Sequence, residues 1–291
     1  MGKQLTFEQK VALFQKAHST RADRDAHAKS WAGVVLEKLP KEATVRSIFT
    51  IDPLPPQANS IYTLDMDYVS AWVLPHMGAT PENLLQTEEV TIPTFEITGD
   101  VAYKLRFAEQ GRFNVAERAQ QRLTDSIVDQ EETAGWALIR AATAGSLDNV
   151  SDITSSESGL SKKTINSAFK KMESRRGHII TDIYVSSNRA ADIRDWTDTD
   201  IDPVTRREIF VQKGVNSIWQ ANITVAHFLS DTEAYFIDAR PNLLGYMPVR
   251  KNLITFDDPT AIKKFQVGIV AYEELGFGIL EPLRIVKAVI D

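Results

Sequence analysis

The chain has 291 residues, 43% of them hydrophobic and 25% charged, enough apolar material for one large or two modest folded domains. Its net charge of −6 is the wrong sign for a dedicated nucleic-acid binder, whose affinity comes from Lys and Arg meeting phosphates, though a protein that encloses nucleic acid without gripping it stays open. Without cysteine there is no disulfide framework or thiolate chemistry, no apolar run nears the ~20 residues of a membrane helix, and the start MGKQLTFEQKVALF lacks a signal-peptide core, so the chain reads as soluble and not exported.

Residues 1–44 read as an N-terminal arm. Thr6 with Gln9 fits a capping box, and Phe7, Val11, Leu13 and Phe14 make one apolar stripe of a short helix. The charged stretch TRADRDAHAK interrupts it before Trp31, Val34, Val35 and Leu36 offer a second apolar patch. So short a segment has no core of its own and must dock on the body or on a neighbouring chain.

Over residues 45–97 six prolines exclude long helices. Tyr62, Leu64, Met66 and Tyr68 alternate with polar residues, PHMGATP (75–81) has turn chemistry, and EEVTIPTFEI reads as a returning strand. The simplest object is a long hairpin carrying Tyr62, Tyr68, Trp72 and Met77. Two strands alone are marginal, and aromatic residues with no local cover call for a partner.

From Asn114 to Gly145, Val115, Ala119, Leu123 and Ile127, then Ala134, Leu138, Ala141 and Ala142, follow helical spacing. Asn114 with Glu117 reads as a capping box and Gly145 as the left-handed stop. Such a helix is roughly 45 Å long, nearly the ~50 Å width of a globule of this length, which predicts a flat or elongated subunit. Gly135 is its weak point.

Residues 147–161 read as a polar connection. A helix then starts at Ser161 with Ile165, Ala168, Phe169 and Met172 buried, and stops by Gly177. A strand follows over 178–186, a short helix over 187–196, an acidic loop, and strands near 209–211, 218–225 and 234–238. The C-terminal region reads as a mostly antiparallel sheet: a strand, a Pro-Asn turn, two short strands, an alternation through Phe265, Val267, Ile269 and Ala271, a turn near Gly276 and Gly278, and a closing strand. The fold class is α+β.

No chemistry stands out. GFGIL (276–280) has two of the three glycines of a dinucleotide fingerprint and opens a strand. Asp195, Asp198, Asp200 and Asp202 are the best metal candidates, yet an EF-hand counted from Asp198 meets Pro203 and Ile209 where it needs Gly and Glu, so the run reads as a solvated loop. His18, His27, His76, His178 and His227 form no paired-ligand spacing, and no serine sits in a GxSxG elbow. Glu131 and Glu132 read as a solvated or intersubunit face. The basic pairs Lys162–Lys163, Lys170–Lys171 and Arg175–Arg176 lack the interleaved aromatics of a single-strand platform and read as an exposed helix face.

The order of arm, hairpin, long helix, α+β middle and final sheet resembles the major capsid proteins of tailed phages, whose Hong Kong 97-type fold is shared with encapsulins. EVTIPTFEITGDVAYKLRFAEQGRFNVAERA (89–119), IYVSSNRAADIRDW (183–196), and YFIDARPNLLGYMPVRKNLITFDDP (235–259) with GILEPLRIVKAVI (278–290) carry the resemblance, which covers roughly residues 45–291. It implies an arm (1–44), an extended loop that overlaps an adjacent subunit (45–97), a peripheral domain with a spine helix (98–146), an axial domain (147–240) and closing strands (241–291). The implied function is a shell protein that forms hexamers and pentamers around double-stranded DNA, located in the virion and assembled in the host cytoplasm. Implied partners are the chain itself, a separate scaffolding protein or none (the arm being too short for a fused one), a portal and a decoration protein; no membrane takes part. No crosslinking lysine–asparagine pair maps onto the chain, so no isopeptide bonds are expected. Tyr62, Tyr68, Trp72, Met77, Phe7 and Phe14 are the candidate assembly contacts, and no catalytic, cofactor or metal residue is assigned. Two alternatives remain: an encapsulin-type nanocompartment, which binds a cargo enzyme's tail, and an α+β enzyme with a metal at Asp198, Asp200 and Asp202.

Overall fold

The computed structural model describes residues 7–18, 20–55, 57–65, 87–110, 112–144, 151–154, 159–196 and 217–290. Two helices open it. In α1 (Phe7–Ala17) Phe14 is buried and Leu13 exposed. In α2 (Arg21–Glu42) the Thr20 hydroxyl caps the first turn by accepting from the Asp23 amide at 3.2 Å. α2 runs straight through the charged stretch expected to interrupt it, because Ala28, Trp31, Val35 and Leu39 recur at helical spacing and all are buried. The Thr255 hydroxyl donates to the Ala28 carbonyl at 2.5 Å, so the arm docks on its own subunit.

α3 (Val45–Ile48) leads into β1 (Thr50–Pro53). The hairpin stems β2 (Ile61–Asp65) and β3 (Thr87–Thr91) pair antiparallel, while Tyr68, Trp72, Met77 and the expected turn lie outside the described residues. The returning strand is two strands: Ile92–Pro93 separates β3 from β4 (Thr94–Lys104), since proline cannot donate to a ladder. After α4 (Leu105–Glu109) comes α5 (Phe113–Thr143), 31 residues without a break. It starts one residue before Asn114, on Arg112, which makes no side-chain cap; the expected box of Asn114 and Glu117 does not form.

The expected polar connection contains β5 (Ser151–Thr154), which takes its main-chain partners from β13 (Ile285–Val289), a pairing that needs no apolar alternation. α6 (Lys162–Glu173) starts at the Ser161 cap and buries Ile165, Ala168, Phe169 and Met172 as expected. β6 (Asp182–Val185), α7 (Ser187–Arg194), β7 (Ser217–Ile218), β8 (Ala221–Val225) and β9 (Glu233–Ile237) follow; the acidic loop at 198–202 and the strand expected near 209–211 fall outside the described residues. β10 (Gly245–Asp258) is one 14-residue strand where two short ones were expected, because register shifts at Val249, Lys251 and Ile254 scramble its alternation without ending it. β11 (Gln266–Gly276) and β12 (Gly278–Ile279) precede β13.

The last strands divide between two sheets rather than forming one. The one with the longer strands, five in all and the larger in residues, has the order β1-β10-β11-β4, with β12 also on β10; the other, of six shorter strands, runs β5-β13-β9-β6-β8-β7. α5 crosses from one to the other. Leu123 lies where a Cβ on Gly99 of β4 would meet it at 3.0 Å, while Trp136 packs on Tyr184 and Tyr235 of the second sheet at 5.4 and 5.5 Å. In β9, Tyr235 and Ile237 face the core under α5, and Ala234 and Phe236 face the core under α6 and α7, so period two joins the two cores across one strand. Among the described residues no helix is long and apolar enough to cross a membrane.

Candidate functional site

Glu131 and Glu132, expected on a solvated or intersubunit face, are 0% and 1% exposed inside the subunit. Arg46 of α3 grips Glu131 bidentately, Nε to Oε2 at 2.7 Å and Nη2 to Oε1 at 2.5 Å, and its Nη2 also lies 3.5 Å from Glu273 of β11. The Glu132 carboxylate accepts from the Thr44 hydroxyl at 2.6 Å, the Val45 amide at 2.9 Å and the Trp136 indole at 2.8 Å. The hub ties α3, α5 and the large sheet together where α5 crosses between the cores.

Two carboxylates share one guanidinium here. Burial, then the Glu131 charge, pushes the Glu273 carboxyl up to about 9, so it keeps its proton at neutral pH. A group raised in the folded state lends stability that is whole below the unfolded value of 4.5 and is lost as pH rises towards 9. The melting temperature is therefore expected to fall over that window, and Glu273→Gln to flatten the slope. An unchanged slope in the variant would place the buried proton elsewhere.

A second polar knot fixes the arm. His18 Nδ1 donates to the Phe14 carbonyl at 2.7 Å, leaving Nε2 to accept from the Tyr103 hydroxyl at 2.6 Å. The His27 ring lies 4.8 Å from that of His18 and 5.7 Å from Trp31. Burial, and then His18, lowers His27 to about 4; burial also lowers His18. The neutral His27 ring therefore lends stability that is whole above 6.5 and lost as pH falls towards 4, and burial of His18 acts in the same direction. The hydrogen-exchange protection factors of α1, taken against the intrinsic rate at each pH, are expected to fall between pH 6.5 and 4 in the wild type and less so in His27→Phe; equal pH dependence of protection in both would contradict the assignment.

The described contact candidates are covered by their own subunit. Phe14 is buried and meets His18 edge-on at 4.5 Å, because α1 lays its Phe14 face on α2. Tyr62 is half-buried, stacked on Tyr246 at 4.5 Å and donating to Asp52 at 2.7 Å, because its side of the hairpin faces β10. Tyr68, Trp72, Met77 and the Phe7 side chain lie outside the described residues.

The apolar groups left open are elsewhere. Ile51, Ile61 and Phe95 are exposed near the hairpin base, Ile179 shortly before β6 and Trp219 between β7 and β8, and Phe265 most of all at 77%. Phe265 was expected in the alternation of β11. Instead it caps the 3₁₀ turn Ala261–Lys264 in the left-handed region at φ +56°, its amide donating to Ile262 and its carbonyl accepting from Leu105, both at 2.9 Å. That conformation costs a phenylalanine about 1 kcal/mol. The triplet KKF just before a strand was the available signal, but a strand start reads the same way. Trp219 and Gln220 also have positive φ, with Trp219 edge-on to Phe169 at 5.2 Å.

Among the described residues no three acids or histidines converge as a metal site. His178 meets Glu281 at 3.1 Å rather than Asp182. The buried Asp238, unremarked in the sequence, accepts from Arg284 at 2.5 Å and from Arg240 at 2.7 and 2.6 Å, closing the turn after β9. α6 carries Lys162, Lys163 and Lys170 on its exposed face as expected.

The family model described as the phage capsid family matches residues 28–290. No curated protein sequence matches. Among solved structures, the fold is similar to a virus-like particle from Pyrococcus furiosus, 14% identical with TM-score 0.59, covering 91% of this chain and 99% of that one. It is similar to a Mycobacterium phage Bobi structure, 12% identical with TM-score 0.65, and to the capsid of a native GTA particle, 14% identical with TM-score 0.64, each covering 86% of this chain and 90% of the other. A match over nearly the whole length, on a subunit of the Hong Kong 97-type fold, places the chain in the phage capsid family.

Proposed function

We propose that the chain is a major capsid protein that closes through hexamers and pentamers into an icosahedral shell around double-stranded DNA. The family match over residues 28–290 carries this reading. The construction of the subunit supports it. The interior is braced by the Arg46–Glu131–Glu273 hub, and large apolar side chains stand open at several separate places on the surface. A capsid family and fold imply a structural protein rather than an enzyme, and place it in the virion. Its first partner is another copy of itself, in rings whose contacts join different patches of each subunit. A separate scaffolding protein, a portal and a decoration protein complete the proposal, with assembly in the host cytoplasm.

The likeness to the Pyrococcus furiosus particle favours one second reading, a nanocompartment of the encapsulin type. Particles isolated from expressing or infected cells and treated with nuclease separate the two. Protected double-stranded DNA of uniform length supports the capsid; a co-purifying enzyme with no nucleic acid supports the compartment.

A further inference from the structure

The two ends of β4 carry surfaces of opposite character. At its C-terminal end the exposed Lys104, Arg106, Lys263 and Lys264 surround the projecting Phe265, a basic cluster on a chain of net charge −6. At its N-terminal end a shallow cleft runs between residues 59–61 and 91–94, with Ile61 and Pro93 exposed in it. Exposed Glu89 lies two residues before this cleft and exposed Glu96 two after it, and Glu274 joins them through the Thr94 hydroxyl at 3.1 Å. Among the described residues that line the cleft, Arg250 is the one cation, paired with Glu274 at 2.9 Å, and exposed Lys251 lies next to it, 4.8 Å from the Tyr272 ring.

β4 is held against β11 in unbroken register over its 11 residues, a span of about 33 Å. The projecting Phe265 with its cations and the cleft with exposed Ile61, Pro93 and its flanking acids therefore cannot meet within one molecule. We propose that the Phe265 tip of one subunit docks in the hairpin-base cleft of a second copy of this chain. The contact is head-to-tail, so it repeats around a ring or across a shell instead of ending at a dimer. It also accounts for Phe265 standing fully out on a left-handed backbone, where glycine would sit without strain.

The inference rests on the shell reading, and the test separates the two. Assembly of the full chain is followed by light scattering and sedimentation at low salt for the wild type, Lys263→Glu/Lys264→Glu, Glu89→Lys/Glu96→Lys, and the four substitutions together. Each pair alone is expected to lower the assembled fraction about tenfold, and the combination to recover most of it, because the charges then match again. Phe265→Gly guards against mere misfolding: its unassembled subunit should melt no lower than wild type while its assembly drops. If neither pair affects assembly, or if the combination assembles no better than the single pairs, the docking contact is overturned while the shell reading stands. A wild-type chain that stays monomeric under these conditions overturns both.

Discussion

Arg46→Met is expected to destabilise the subunit by about 3–5 kcal/mol, the usual result of stripping one partner from a buried ion pair. Glu131 is 0% exposed and Glu273 2% exposed, so neither carboxylate can turn to water when the guanidinium goes. Protonation of Glu131 would relieve part of the loss, Glu273 already holding its proton at neutral pH, which makes the deficit larger at high pH than at low. Adding Glu131→Met to Arg46→Met should recover most of the stability, since an apolar replacement for a whole buried pair is often neutral or better. Urea denaturation of the unassembled subunits measures both. A loss below about 1 kcal/mol for Arg46→Met would mean the acids are solvated in a way the packing does not suggest.

The second large effect runs against helix propensity. Gly135→Ala should gain about 1 kcal/mol from propensity at a mid-helix position. Yet a Cβ at that position would lie 2.8 Å from Val45 Cγ2 and closer still to Cγ1. Val45 cannot easily retreat, because its amide is held by Glu132 at 2.9 Å. Overpacking of this kind costs about 1–3 kcal/mol, so the substitution is expected to destabilise on balance. Val45→Ala in the same chain should give back part of the loss, making the double variant more stable than the sum of its parts predicts. A stabilised Gly135→Ala would show that α3 and α5 are not in close contact.

The residue that looked like a flaw in the long helix is thus the place where another helix rests on it. Sequence showed α5, α6 and the alternation of β11 because each follows one unmixed period over many residues. It did not show that Glu131 and Glu132 are buried, since Arg46 lies 85 positions before Glu131 and 227 before Glu273. Two acids side by side on a helix look solvated until the distant cation is known. α2 was hidden by its charges, although its buried positions kept helical spacing, and β5 by having a single apolar residue, Ile153, because its partners are main-chain groups of β13. The exposed apolar surface was the least legible. Aromatic residues on a strand or an arm advertise themselves in sequence, but Tyr62 and Phe14 are covered at home, whereas Phe265 was hidden in an ordinary strand pattern. Family likeness came through the order of elements, which survives when individual motifs have drifted.

Negative-stain electron microscopy of the purified full-length chain, alone and with a co-expressed scaffolding protein, tests the central claim most directly. A capsid protein is expected to give closed particles of uniform diameter, or rings of five and six subunits that convert into them. A chain that remains a discrete monomer or dimer at high concentration in both conditions would contradict the account.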